Sequence, residues 1–140
     1  MSRRSKYVLY VLILIVAWVG IVIALAPQFR GVQREKIDAE RVFTNYISAV
    51  VKHDFVVAYQ QCGSEFRQAM PYDDFVSQQE SLESKYGSLQ NYKELGYNVT
   101  SHDDLTEWRA VILADLIFQK GTARFELEFR KENGAWMLFG

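Results

Sequence analysis

Between Tyr7 and Ala26 the chain carries no charged side chain, and only Gly20 in that window lies outside the apolar class. At about 1.5 Å of rise per residue, such a helix spans about 30 Å, the thickness of a bilayer's hydrocarbon core. The pattern predicts a single transmembrane helix over residues 7–26, with Tyr7 and Tyr10 near one end, where amphipathic rings favour the headgroup region. Ala24-Leu25-Ala26 imitates a signal-peptide cleavage site, but the apolar stretch is longer than such peptides use. Pro27 would also follow the cut, with a locked φ and no N–H. An uncleaved anchor is therefore expected. Arg3, Arg4 and Lys6 crowd its N-terminal flank, whereas Arg30, Arg34 and Lys36 beyond it are diluted by Glu35, Asp38 and Glu40. That asymmetry puts a short tail, residues 1–6, in the cytoplasm and the remainder outside the plasma (inner) membrane of a bacterium.

Residues 27–37 form a polar linker that either extends the membrane helix or is flexible. From there the period becomes helical: Ala39, Val42, Phe43, Tyr46, Ile47, Val50 and Val51 recur at three- and four-residue steps. Lys52-His53-Asp54 interrupts the stripe, and Asp54 can cap a shorter helix bearing Phe55, Ala58, Tyr59 and Cys62 that stops at Gly63-Ser64. Pro71 suits the first turn of a third helix, which carries Phe75, Leu82 and Tyr86 and ends at Gly87.

Beyond Gly87 the period falls to two. Strands are expected over 92–100, 108–119, 122–132 and 135–139, with Asn133-Gly134 a strong hairpin turn and Lys120-Gly121 a weaker one. Pairing Gln119 with Thr122 sets Leu116 against Phe125, Ala114 against Leu127 and Ile112 against Phe129. Pairing Glu132 with Ala135 sets Phe129 against Leu138. Both hairpins then turn Ile112, Leu116, Phe125, Leu127, Phe129 and Leu138 to one face, as a single sheet requires. Val111, Leu113, Ile117, Met137 and Phe139 fall on the other face, among Arg124, Glu126, Glu128 and Arg130. Two readings of that face stand: a curved sheet shielded by long neighbouring side chains, or a surface for a second copy or a membrane-complex partner.

Composition sharpens this picture in one respect. The whole chain is 49% apolar with a net charge of −1, values of an ordinary soluble domain. Three of the 16 Lys and Arg precede the apolar window, so thirteen stand against all 17 Asp and Glu after it, a balance of −4. This excludes a basic nucleic-acid binder and a disordered chain. With one cysteine, Cys62, no internal disulfide is possible, and its apolar stripe marks it as core packing.

The passages AERVFTNYISAVVKHDFVVAYQQCGSEFRQAM, PYDDF and FELEFRKENGAWMLFG, arranged as helices followed by an antiparallel meander, resemble small bacterial members of the nuclear transport factor 2-like superfamily. The resemblance covers roughly residues 38–140. It implies an α+β domain, with three helices packed on a curved antiparallel sheet of about four strands and a cavity between the layers. Tyr46, Tyr59, Phe75, Trp108 and Trp136 are candidates to line that cavity.

Residues for chemistry are few. Asp115 is the one ionisable residue in the nine-residue apolar run 110–118. Its parity turns it outward, opposite Glu126 and diagonal to Arg124, which favours a cross-strand ion pair over a pocket acid. His102-Asp103-Asp104 reads as a solvated turn rather than a metal site, and His53 as a helix end. No catalytic residue, cofactor or metal is expected. The leading functional expectation is a non-catalytic scaffold or protein-interaction domain tethered at the membrane surface. In layout this resembles the single-pass inner-membrane subunits of type IV secretion systems, which are longer. The alternatives are a binding module for a small apolar or lipid ligand in the cavity and, behind it, an isomerase- or hydrolase-type enzyme.

Overall fold

In a computed structural model, residues 3–101 and 107–140 are described; the expected cluster His102-Asp103-Asp104 lies outside them. The chain divides into two compact units, Met1–Arg34 and Glu35–Gly140. Helix α1 (Arg3–Val51) runs without a break through the stretch expected as a linker. Most side chains of the expected span, residues 7–26, lie outside the described set, but Ile15, Val16, Val19 and Ile21 are described and exposed. Among the described residues no helix is long and apolar enough to cross a membrane.

Within the second unit, the helical stripe folds as its spacing predicts. Ala39, Phe43, Tyr46, Ile47 and Ala49 are buried, with Val42, Val50 and Val51 packed beside them. Helix α2 (Phe55–Gln60) begins at Asp54, whose side chain accepts a hydrogen bond from the Val57 N–H at 3.2 Å. A short further helix, α3 (Ser64–Ala69), occupies the place where Gly63-Ser64 was expected to stop the helix. Its cap is tertiary. The Glu132 carboxylate accepts the Ser64 N–H at 3.0 and 3.1 Å, and the Gly63 N–H donates to the Leu138 carbonyl at 2.7 Å. Helix α4 (Tyr72–Tyr86) follows Pro71 and ends at Gly87.

Strands β1 (Leu89–Ser101), β2 (Trp108–Phe118), β3 (Gly121–Glu132) and β4 (Ala135–Leu138) form one antiparallel sheet in sequence order. The β3–β4 register is the expected one, Phe129 facing Leu138 and Glu132 facing Ala135. Asn133 (φ 50°) and Gly134 (φ 82°) supply the two left-handed residues of its tight turn.

The β2–β3 register differs from the expected one. Phe118 pairs with Gly121, so the turn is Gln119-Lys120, and Ile112 faces Leu127, Ala114 faces Phe125 and Leu116 faces Ala123. Contacts remote in sequence set this turn. The Gln119 and Lys120 N–H groups donate to the Ser88 and Tyr86 carbonyls at 3.1 and 2.9 Å, at the α4–β1 corner. The slip moves each partner by two positions, so parity survives and the same residues face the helices. Ile112, Leu116, Leu127, Phe129 and Leu138 are buried there, with Phe125 packed against them.

The start of the second unit is held by one carboxylate. Glu35 accepts hydrogen bonds from Lys131 at 2.6 Å and from the Trp136 indole N–H at 2.9 Å, with Trp136 itself buried. Farther along α1, Phe43 meets Tyr92 and Phe129 edge-on, at 5.1 and 6.3 Å between ring centroids.

Two substitutions test these contacts. Glu35→Ala strips the partner from Lys131 and Trp136 together and should cost about 1–3 kcal/mol in denaturant unfolding. Gly87 (φ 76°) has no room for a side chain, because a Cβ there would lie 2.7 Å from the Gln119 Cβ. Gly87→Ala should therefore cost about 1–3 kcal/mol. Gly96→Ala, whose Cβ would meet nothing within 4 Å, serves as the control.

Candidate functional site

Strand β4 pairs with only the far end of β3, its last partner being Phe129, so Phe125 and Leu127 continue the inner face beyond it. Between that face and the helices lies a cavity of about 230 Å³. Tyr46, Ile47 and Val50 of α1 line one side, Phe75 and Leu82 of α4 another, and Leu116, Phe118, Phe125 and Leu127 the sheet. Apolar cavities of roughly 150 Å³ stay dry and hold a benzene-sized molecule. This one takes a ligand about half as large again.

The polar side chains that line the cavity are His53, Gln78, Gln79 and Glu83 at the α1–α4 edge, and Tyr46 within; Glu126 borders it from β3 with its side chain on the outer face. Helix α1 ends in a left-handed turn: the His53 N–H donates to the Val50 carbonyl at 3.0 Å and the Asp54 N–H to the Ala49 carbonyl at 2.9 Å. This pairing puts His53 (φ 57°) where glycine usually stands. Its imidazole thereby reaches α4, where Nε2 lies 3.0 and 2.9 Å from the two oxygens of Glu83. Both side chains are partly exposed, at 49% and 37%, which marks this edge as the mouth. The hydrogen bond from His53 holds the Glu83 carboxyl below its ordinary range, so it is ionised near neutrality.

Tyr46 lies at the other extreme, 8% exposed. Burial pushes its phenol above the ordinary value. Its oxygen has no hydrogen-bond partner among the described residues and is not sealed from open space, leaving it available to the cavity it lines. Burial also raises the Cys62 thiol to about 12, which keeps it protonated and inert as a nucleophile.

Of the residues proposed from sequence for the cavity, Tyr46 and Phe75 line it, and Tyr59, Trp108 and Trp136 do not. Tyr59 stands behind Phe75 at 5.4 Å and donates to the Met70 carbonyl at 2.9 Å. Trp108 lines a separate polar cleft with Arg109 and Arg130, and Trp136 is taken up by Glu35. Each is an aromatic on a core stripe, and periodicity alone does not separate a wall from the layer behind it.

The outer-face residues Val111, Leu113, Ile117 and Met137 share the outward side, each half-buried, whereas Phe139, beyond β4 and also half-buried, sets its ring against Gly63 at the start of α3. Asp115 is also outward, but the corrected register places it directly opposite Arg124 rather than Glu126. Arg124 donates to it at 2.8 and 3.2 Å and holds its carboxyl below the ordinary range. Glu128 joins Arg109 and Arg130 in the same way, at 2.8 and 2.7 Å, and the Arg130 guanidinium covers the Phe139 ring at 4.1 Å.

Sequence reasoning missed His53 and Glu83 as partners. The available signal was weak: Gln78, Gln79 and Glu83 share a helix side with apolar Leu82, and His53 sits in a corner usually built from glycine. Among the described residues no group of three His, Cys, Asp or Glu is placed to hold a metal ion.

No family model and no curated protein sequence matches the chain. Among solved structures it is similar to a Campylobacter jejuni protein provisionally described as an NTF2-like transpeptidase. The TM-score is 0.53 at 11% identity, covering 72% of this chain and 96% of that one. At such identity the likeness is one of fold, and the α+β domain has the nuclear transport factor 2-like fold expected from its sequence.

Acid should reveal the mouth pair. Because the folded-state pKa of Glu83 is depressed, its contribution is complete above the unfolded carboxyl value of about 4.3 and is lost as pH falls through the folded value. The melting temperature should drop between about pH 5 and pH 3, and Glu83→Gln should make that drop shallower.

Proposed function

We propose that this chain is a membrane-tethered, non-catalytic binding module that takes a small, mostly apolar ligand into the cavity between its helices and sheet. One observation carries the reading: a space of about 230 Å³ whose walls are mostly apolar and whose ionisable pair, His53 and Glu83, stands at an exposed edge. That is the composition of a site that gains affinity by desolvation and orients its ligand through a few polar contacts. The fold hosts binders, scaffolds and enzymes alike, so the site and not the fold decides. No Ser, Thr or Cys lines the cavity among the described residues, and the one thiol is protonated in the core. The printed name of the Campylobacter jejuni protein is for this reason not transferred to the chain.

The tether rests on the apolar window 7–26 with its basic N-terminal flank, and is supported by the exposure of Ile15, Val16, Val19 and Ile21 along α1. The chain would then cross the plasma (inner) membrane once, with its N-terminus cytoplasmic and its domain external. A ligand that partitions between bilayer and water would reach such a cavity at high local concentration. The scaffold reading through the outer sheet face is weaker. Any second copy or membrane-complex partner seated there must displace the Asp115–Arg124 pair and the Arg109–Glu128–Arg130 cluster before reaching Leu113.

Toluene titrated into the full chain in lipid nanodiscs tests the cavity. NMR methyl signals of inward Leu116 and Leu127 should shift, while those of outward Val111 and Leu113 stay in place. Leu82→Trp, which fills the space, should abolish the shifts and keep the melting temperature within about 4 °C. Shifts spread over both faces, or none, would overturn the reading.

A further inference from the structure

The cavity's polar groups are unequal in what they accept, and the imbalance points to a ligand class. Glu83 contributes a carboxylate to the lining, and among the described residues no Lys or Arg lines the cavity. A carboxylate can only accept hydrogen bonds, so the His53 nitrogen spanning both Glu83 oxygens at 2.9–3.0 Å carries a proton. In the neutral imidazole the other ring nitrogen is then an acceptor. Gln78 and Gln79, about one turn before Glu83 on α4, add uncharged amides, each both donor and acceptor, to the lining. The mouth therefore carries the negative charge of Glu83 with no Lys or Arg beside it among the described residues, and behind it lie mostly apolar walls.

An anionic head entering this edge would give up hydration beside the Glu83 carboxylate and meet no Lys or Arg in return among the described residues. A hydroxyl or ammonium head meets acceptors instead. We infer that the cavity selects a small amphiphile whose apolar body fills the interior and whose head, uncharged or cationic, donates hydrogen bonds to the His53–Glu83 edge. Carboxylate-headed molecules are rejected. The inference rests on the cavity reading above and adds the identity of the head group. His53 and Glu83 act on the ligand directly.

The experiment compares three probes of one body and different heads, para-ethylphenol, para-ethylbenzylamine and para-ethylbenzoate, titrated into the full chain in nanodiscs against empty nanodiscs. The phenol and the amine should bind at least about tenfold more tightly than the benzoate. Glu83→Gln, which keeps the shape and removes the charge, should shrink that gap to about threefold or less. His53→Asn, whose side chain tolerates the left-handed backbone at this corner, should weaken the phenol and the amine. Equal binding of all three probes overturns the head-group inference and leaves the cavity reading standing. A gap that survives Glu83→Gln, or benzoate bound best, also overturns it. If none of the probes binds, the cavity reading falls with it.

Discussion

The antiparallel ladder between β2 and β3 runs from Arg109↔Arg130 to Phe118↔Gly121, and side chains alternate strictly along it. That alternation puts Ala110, Ile112, Ala114 and Leu116 on one face with Phe125, Leu127 and Phe129, leaving Val111, Leu113, Asp115 and Ile117 on the other. The small Ala110 and Ala114 lie opposite Phe129 and Phe125, so each large ring faces a position with little volume. A slip of one residue would send the whole inner set to solvent and leave α1 and α4 nothing to pack on. The helices, the cavity and the mouth pair are all placed relative to this ladder.

Carboxylates reaching across the fold complete what the ladder begins. Glu35 ties the start of the second unit to β3 and β4 through Lys131 and Trp136. Glu132 caps α3 from the end of β3, and Glu83 joins α4 to the corner after α1. Each is charge-assisted, and such bonds are roughly twice as strong as neutral ones. They differ in exposure: Glu35 is largely covered, whereas Glu83 stands at the mouth, where a ligand can compete for it. The acidic balance of the chain after its apolar window, a composition fact with no evident purpose at first, is in part this set of long-range ties.

Parity explains why so much of the fold was legible. The helical stripe from Ala39 to Val51, the four strands and the Asn133-Gly134 turn follow from local periods and turn chemistry, and the structure has all of them. The register of β2 on β3 was misplaced by one turn position, because what chooses Gln119-Lys120 is the corner at Tyr86 and Ser88. Asp115 gained a direct partner in Arg124 through the same correction, and its outward side never changed. Helix α3 escaped notice since its cap comes from Glu132, across the domain. The stretch 27–37 reads from its composition as a polar connector, helical or flexible, and the partners that hold Glu35, Lys131 and Trp136, lie far along the chain.

By itself, the sequence determined what depends on neighbours a few positions apart: the apolar window, the periods of helices and strands, the face each residue takes, and hence an α+β domain of helices on an antiparallel sheet. Tertiary structure alone decided which aromatics form a wall and which stand behind one, where α3 starts, and that His53 meets Glu83. The reason is physical. Periodicity reports the direction of a side chain relative to its own backbone, and that information is local. A cavity is the space left between elements, and an ion pair across it depends on the distance between two backbones, set only when the whole domain closes.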